Sequence, residues 1–247
     1  MSILTLKNVK ETYEKYIDET DKNNFKKDEK NIWYSPSSAG ACIKKHLFKK
    51  LGTKQDPIDQ LSKFTMHYGT MVHKDLERAL NSNFKEQDIR LLIETKFKDT
   101  SLNIRGSVDI IAINNEGMKE IIDIKTIKAF KWKRLFGRKE NRDPFPNIMY
   151  ELQLGTYGLM VKNVEYLSLL YWRKDDGLFK KVTVSIKYIE LAREYWEEVN
   201  ETVNENINKD PDNLVPGECI NIPVEEKWEC NWCSYSSKCN SRFKKEK

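Results

Sequence analysis

Two aspartates and a lysine, Asp109, Asp123 and Lys125, stand where unpaired charge is costly. Each aspartate lies inside a β-branched, apolar segment, and desolvating a lone carboxylate there is expensive. The two segments, Ile104–Ile113 and Lys119–Thr126, are separated by Asn114-Asn115-Glu116-Gly117, which predicts an antiparallel hairpin. In that hairpin the carboxylates converge at one sheet end and offer a site for a hard cation such as Mg2+ or Mn2+. Lys125 follows Asp123 by two residues, so on a strand it shares the same face. A lysine beside a metal-binding acid suits phosphodiester hydrolysis. It can orient or help deprotonate the attacking water and stabilise charge on phosphorus. The plainer alternative is that these charged groups sit at strand ends and face water.

Two further pairs could join them. Gly69-x3-His73 falls in Leu61–Leu80, whose apolar residues Phe64, Met71, Val72, Leu76 and Leu80 keep a helical period. His73 is then either a satisfied helix histidine or a ligand that favours Mn2+ over Mg2+. Gly69 would let the helix approach another backbone closely. Gln153 and Tyr157, four apart on a predicted helix, share a face and are candidates to contact a phosphate or a base.

The cysteines form a second constellation. Cys230, Cys233 and Cys239 read C-x2-C-x5-C, and Cys42 lies 187 intervening residues upstream. Such spacing suits thiolates on one metal centre, with Cys42 tying the two ends of the chain together. An odd count of five and no apolar leader at Met1–Lys10 argue against disulfides and for an intracellular, cytoplasmic protein. Ligand type alone leaves iron–sulfur and tetrathiolate zinc both open. Cys219 falls outside the spacing and reads as a buried thiol.

Positioning these groups requires one sizeable core, which 247 residues can build. The net charge of +5 and pI of about 8.7 are compatible with a polyanionic partner without identifying one. No apolar run is long enough to cross a bilayer. A charged helix over 5–17 and a Lys-rich arm over 21–30 make residues 1–34 a separate N-terminal segment, followed by a single domain over 35–247. Ser35-Pro36-Ser37-Ser38 supplies N-cap chemistry for a helix running through Cys42 to Leu51 and closed by Gly52. Strands are expected at 89–98, 104–113, 119–126, 165–171 and 178–185, and helices at 149–161 and 189–207. Lys44, Lys45, Lys128, Lys131, Lys133 and Arg134 could line a basic channel, with Trp132 available for base stacking.

Taken in order, Gly69-x3-His73, Gly106-x2-Asp109, Asp123-x-Lys125 and Gln153-x3-Tyr157 resemble the RecB-like branch of the PD-(D/E)XK nuclease superfamily. The flanking cysteines resemble its iron–sulfur members, the CRISPR-associated RecB-like exonucleases and AddB-type nuclease domains. The resemblance implies an α/β, restriction-endonuclease-like fold, a central mixed β-sheet flanked by helices, with the terminal segments joined by a metal cluster. It implies His73, Asp109, Asp123 and the backbone carbonyl of Ile124 as ligands to Mg2+ or Mn2+, Lys125 as the catalytic lysine, and Gln153 and Tyr157 as substrate-binding residues. It implies Cys42, Cys230, Cys233 and Cys239 as ligands of a [4Fe-4S] cluster. The acid before the lysine is often Glu in the family and here is Asp123, and Ile43 and Lys44-Lys45 replace a common Pro and Arg. The implied activity is a DNA exonuclease acting on single-stranded ends, in phage recombination or CRISPR adaptation, with protein partners from those systems. A non-catalytic nucleic-acid-binding scaffold is the competing reading; intact Asp109, Asp123 and Lys125 argue against it.

Overall fold

The strand-forming stretches assemble into one five-stranded sheet, in a computed structural model that describes residues 6–24, 33–138, 148–208, 230 and 233–239. The helices are α1 (Leu6–Asn24), α2 (Ile43–Lys50), α3 (Gln60–Asn83), α4 (Ala129–Phe136), α5 (Ile148–Met160) and α6 (Tyr188–Asn206). The strands are β1 (Ile89–Asp99), β2 (Ile104–Asn114), β3 (Lys119–Ile127), β4 (Val164–Arg173) and β5 (Phe179–Val184). Their spatial order is β1-β2-β3-β4-β5. All neighbours are antiparallel except β3 and β4, which run parallel because α4 and α5 carry the chain back across the sheet. The fold is therefore α/β with a mixed sheet, as expected for a restriction-endonuclease-like domain.

The expected hairpin is present, with Gly117 at φ 79° in its turn and Ile113 paired to Lys119. Its β2–β3 ladder stops at Ile110 and Ile122. Beyond that point β2 stays paired with β1 down to Ile104, while β3 stays paired with β4 up to Ile127. The sheet thus forks between β2 and β3, and Asp109 and Asp123 are the first residues past the split.

Two apolar cores pack around the fork, both drawing on α5. One joins Val108, Ile111, Ile121, Leu154, Tyr157, Leu167 and Leu169, sealing α5 onto the sheet. The other gathers Tyr34, Leu47, Ile104, Leu152, Tyr195 and Trp196, joining α2, α5 and α6. Tyr34 and Trp196 stack with ring centroids 5.4 Å apart, and His46 lies edge-on to both. Gly155 lets α5 meet α6: a Cβ there would sit 1.9 Å from the Tyr188 carbonyl oxygen.

Several expectations change in physical detail. Ser35–Ser38 does not cap α2. It forms a short 3-10 turn, Pro36–Ser38, in which the Ser38 hydroxyl donates to the Ser35 carbonyl at 2.7 Å. Gly40 at φ 77° then redirects the chain, so α2 begins only after Cys42, its N-cap, with no side-chain cap bond. A true cap stands before α3, where Asp59 accepts from the Ser62 N–H at 2.9 Å. Gly69 makes no close backbone approach; an added Cβ would meet the Thr126 hydroxyl oxygen at an ordinary 3.5 Å. The α1 helix runs on to Asn24, beyond its expected end, and docks on α3 through Tyr13 against Phe64 and Lys63 against Asp18. Helix α4 falls where no element was expected. Most of the Lys-rich arm, the Asp143–Pro146 break and Cys219 lie outside the described residues. Among the described residues, no helix is long and apolar enough to cross a membrane.

Candidate active site

The fork brings the sequence-predicted residues to one place. Asp109 Oδ2 accepts a 2.8 Å hydrogen bond from the backbone N–H of Ile124, the group left without a ladder partner where β3 parts from β2. Across the fork, Asp123 is only 2% exposed and sits on the same face of β3 as Lys125. The Lys125 ammonium lies 2.6 Å from Asp123 Oδ2.

Helix α5 fixes that pair from above. Gln153, itself buried, accepts from the Lys125 Nζ at 2.8 Å and donates from Nε2 to Asp123 Oδ1 at 3.0 Å. The same Nε2 lies 3.0 Å from the Tyr157 hydroxyl, which accepts from it. The Tyr150 ring covers Lys125 at 4.4 Å. The four-residue spacing of Gln153 and Tyr157 therefore does what helical geometry allows: both polar tips reach one point.

Gly106 explains a second element of the pattern. A Cβ at that position would lie 2.6 Å from Pro36 Cδ, so only glycine lets the Ser-Pro turn press against β2 beside Asp109.

Helix α3 approaches from the other side. His73 Nδ1 stands 3.6 Å from Asp109 Oδ2. One turn further along α3 lies Glu77, 9% exposed, which the sequence reading did not select. Ligand atoms of His73, Glu77 and Asp109 all fall within 4.8 Å of one another, a spacing that can hold a cation. The signal in the sequence was the i, i+4 step from His73, which places both side chains on one helical face.

The electrostatics are those of a site short of positive charge. Burial, and then the charge of Asp123, push the Asp109 carboxyl up to about 7. Burial, and then Glu94, push Glu77 up. Burial holds the His73 imidazole below its usual range despite the pull of Asp123, leaving it neutral and able to ligate. Burial and the Asp123 charge raise the Tyr157 phenol, keeping its proton in place. Oxygen and imidazole donors that each pay for desolvation fit a divalent cation of the Mg2+ or Mn2+ class.

The basic channel is only partly where it was expected. Lys44 is 4% exposed and buried over the Phe48 ring, so it lines no open surface. Trp132 is half-buried, packed on Phe136 and covered by the Arg173 guanidinium at 5.1 Å. The exposed ring of α4 is instead Phe130, at 72%. Lys128, Lys133 and Arg134 are exposed, while Lys131 reaches back to the Tyr150 hydroxyl at 3.2 Å.

The cysteine tail packs onto the segment around α2. Tyr235 stacks on Phe48 with centroids 5.3 Å apart, and the backbone N–H of Asp56 donates to the Ser234 carbonyl at 2.7 Å. The Asp56 carboxylate accepts from the backbone N–H of Ser237 at 2.9 Å. Cys42, Cys230, Cys233 and Cys239 are all half-buried.

A family model of the PD-(D/E)XK nuclease superfamily matches residues 83–240. The chain belongs to that superfamily. The match takes in Asp109, Asp123, Lys125, Gln153, Tyr157 and the three C-terminal cysteines, and leaves out His73, Glu77 and Cys42. This nuclease is also similar to a solved structure described as the crystal structure of SSO0001. The two share 18% identity over 94% of this chain and 96% of that one, with a TM-score of 0.54, a likeness of fold. A second similar structure is an alkaline exonuclease (LHK-Exo) from Laribacter hongkongensis, 10% identical, covering 71% of this chain and 89% of that one at a TM-score of 0.45. Comparison with curated protein sequences found no match.

Proposed function

We propose that this member of the superfamily is a Mg2+- or Mn2+-dependent DNA exonuclease that acts on single-stranded ends in the cytoplasm and carries a structural [4Fe-4S] cluster. One observation carries the catalytic reading: Asp109, Asp123, Lys125, Gln153 and Tyr157 meet in the fork of the sheet, within hydrogen-bond reach of one another or of the same backbone. His73, Asp109, Asp123 and the Ile124 carbonyl would hold the cation. When bound, it would lower the pKa of a water and offset charge on the scissile phosphate.

The chain's own groups have separable tasks. Lys125, clamped by Gln153 and the Tyr150 face, presents its ammonium beside Asp123, where it can orient a nucleophilic water and stabilise developing negative charge. Tyr157, which keeps its proton, can donate to a phosphate oxygen. Exposed Phe130 with Lys133 and Arg134 offers a stacking face beside cations, a combination suited to single strands.

The cluster reading draws on Cys42 at the N-cap of α2 and on the tail docked beside that helix through Phe48, Asp56 and Tyr235. Among the described residues, the ligand atoms drawn within 4.8 Å of one another belong to His73, Glu77 and Asp109 and not to the cysteines. The choice of an iron–sulfur cluster over zinc rests on the family resemblance. The family resemblance supports a setting in phage recombination, DNA processing or CRISPR adaptation.

The test is direct. Anaerobically purified protein should degrade end-labelled single-stranded DNA faster than duplex DNA with Mn2+, and stop in EDTA. Asp109→Ala and Asp123→Ala should each lose cleavage while retaining DNA binding. Wild-type rates in both variants would overturn the site assignment, and stoichiometric zinc without sulfide would overturn the cluster.

A further inference from the structure

Cations crowd together at the start of β2, where the fold gives them little relief. Lys98 on β1 stands directly across from Arg105 on β2, and like charges so placed repel. Lys45 and Lys49 stand four residues apart on one face of α2, which also costs stability. The two sets meet at Lys49. Burial, and then the charges of Lys45 and Arg105, hold its ammonium below the usual lysine range. Among the described residues no carboxylate makes an ion pair with Lys45, Lys49 or Lys98.

The backbone brings an aromatic ring to the same place. Where β3 has left the side of β2, Tyr34 takes up the vacated edge beside Ile104. Its N–H donates to the Asn103 carbonyl, and its carbonyl accepts from the Arg105 N–H, both at 2.9 Å. Trp33, the residue before it, is thereby held half-buried beside β1, and the Lys98 ammonium lies 4.3 Å from its ring centroid. That contact orders the Lys98 side chain without neutralising it.

Position gives the cluster its meaning. Arg105 precedes Asp109 by four residues on the same face of β2, a separation of about 13 Å at ~3.3 Å per residue. It lies toward the tip of the β2 arm of the fork. The β3 arm ends at Ile127 and passes into α4, where Arg134 lies 5.9 Å from the exposed Phe130 ring. Each arm thus ends in cations beside an aromatic ring, with Asp109, Asp123 and Lys125 at the base between them.

We infer that Lys49, Lys98 and Arg105, with Trp33 bracing Lys98, form a phosphodiester-binding subsite that holds the single strand a few nucleotides from the bond being cut. A polyanion turns the mutual repulsion of these cations into affinity. The placement suits a strand that crosses the mouth of the fork from one arm tip to the other. This rests on the nuclease reading above and adds to it a contact remote from the reacting bond, one that sets how long a strand must be to bind well.

The experiment is fluorescence anisotropy of end-labelled oligo(dT) strands of increasing length in Ca2+, repeated over a salt series. Wild-type affinity should climb as the strand becomes long enough to reach from Asp109 to Arg105. In the double variant Lys49→Gln, Arg105→Gln that climb should be largely lost, and the log–log salt slope on the longest strand should fall by about 1.4, from two contacts at ~0.7 each. Lys98→Gln, at an exposed position, should lower the slope by about 0.7. Wild-type slope and length dependence in both variants overturn the proposal, whereas failure of the wild type to bind any of the strands overturns the single-strand nuclease reading itself. Melting curves separate a binding role from a structural one. With repulsion relieved, DNA-free Lys49→Gln should melt at or above wild type. A Lys49→Gln protein that melts lower yet keeps the wild-type salt slope sinks the proposal.

Discussion

Replacing Gln153 by Leu removes a side chain that touches Asp123, Lys125 and Tyr157 together. Leu nearly conserves the volume, so the packing of α5 against the sheet should survive. Two hydrogen bonds to charged groups are lost, each worth about 1.5 kcal/mol at the low end for such bonds. Asp123 and Lys125 remain paired at 2.6 Å, which limits the loss of stability to about 2 kcal/mol. The larger effect is on geometry: with the amide gone, the Lys125 ammonium has Tyr150 and Asp123 to hold it and no fixed distance to the attacking water. If the full ~3 kcal/mol is lost from the transition state, single-turnover cleavage slows about 100-fold. Mn2+-dependent cleavage of end-labelled single-stranded DNA measures the rate, and fluorescence anisotropy in Ca2+ measures binding. The expected result is a slow step with near-normal affinity. A Gln153→Leu variant that is folded and cuts at the wild-type rate would refute the claim that Gln153 positions the catalytic pair. Loss of affinity with an unchanged rate would make it a substrate contact instead.

Other outcomes follow from the same structure. Buried His46 is held down to about 3 by desolvation and then by the Lys49 and Lys45 charges, against 6.5 unfolded, so the unfolded chain takes up more protons between those values. Stability is therefore lost as pH falls below 6.5, by about 2 kcal/mol from His46 alone between neutrality and pH ~5, and urea unfolding of His46→Gln should show a flatter dependence by that amount. An identical pH dependence in the two proteins would count against it. Cys230→Ser or Cys233→Ser should lose the visible absorbance of the cluster and lower the melting temperature, whereas Cys219→Ser should keep both; a colourless Cys219 variant would reassign the ligands. Combined charge reversal at Lys131, Lys133 and Arg134 should weaken single-strand binding and reduce its log–log salt slope by about 2, from three contacts at ~0.7 each; an unchanged slope removes α4 from the binding surface.

The β2–β3 hairpin was legible because local chemistry fixes it: a turn ending in Gly117 joins two β-branched runs. Once those strands pair, Asp109 and Asp123 have to face one another, and the candidate site follows. The parallel β3–β4 pairing was not legible, since it depends on two helices carrying the chain over the sheet. Helix α4 escaped because eight residues alternating basic and aromatic side chains carry little periodicity, and its stability comes from packing Trp132 and Phe136 on the sheet core. The Ser-rich turn misled because its hydroxyls are compatible with a cap, while Gly40 had already turned the chain elsewhere. Glu77 was missed because one acid on a mixed helix is ordinary; its i, i+4 step from His73 is a weak signal without its burial, and burial of a polar residue is decided by tertiary contacts.

The fork itself ties fold and chemistry together. Ending a β-ladder inside a sheet leaves backbone donors exposed to an apolar interior, and an unmet buried N–H costs about as much as a lost hydrogen bond. This protein meets that cost at Ile124 with the carboxylate of Asp109. The same carboxylate oxygen, Oδ2, is held at the gap that the parted strands open, 3.6 Å from His73 Nδ1. Asp123, one step past the last β3 pair on that side, takes its partners from Gln153 on α5 and from Lys125 on its own strand. The separation of the two acids is thus set by backbone geometry, and their different partners are set by which helix lies over each. An insertion that extended the β2–β3 ladder by a pair would satisfy Ile124 through the backbone and close the site. The sheet has to be broken here for the carboxylates to be available at all.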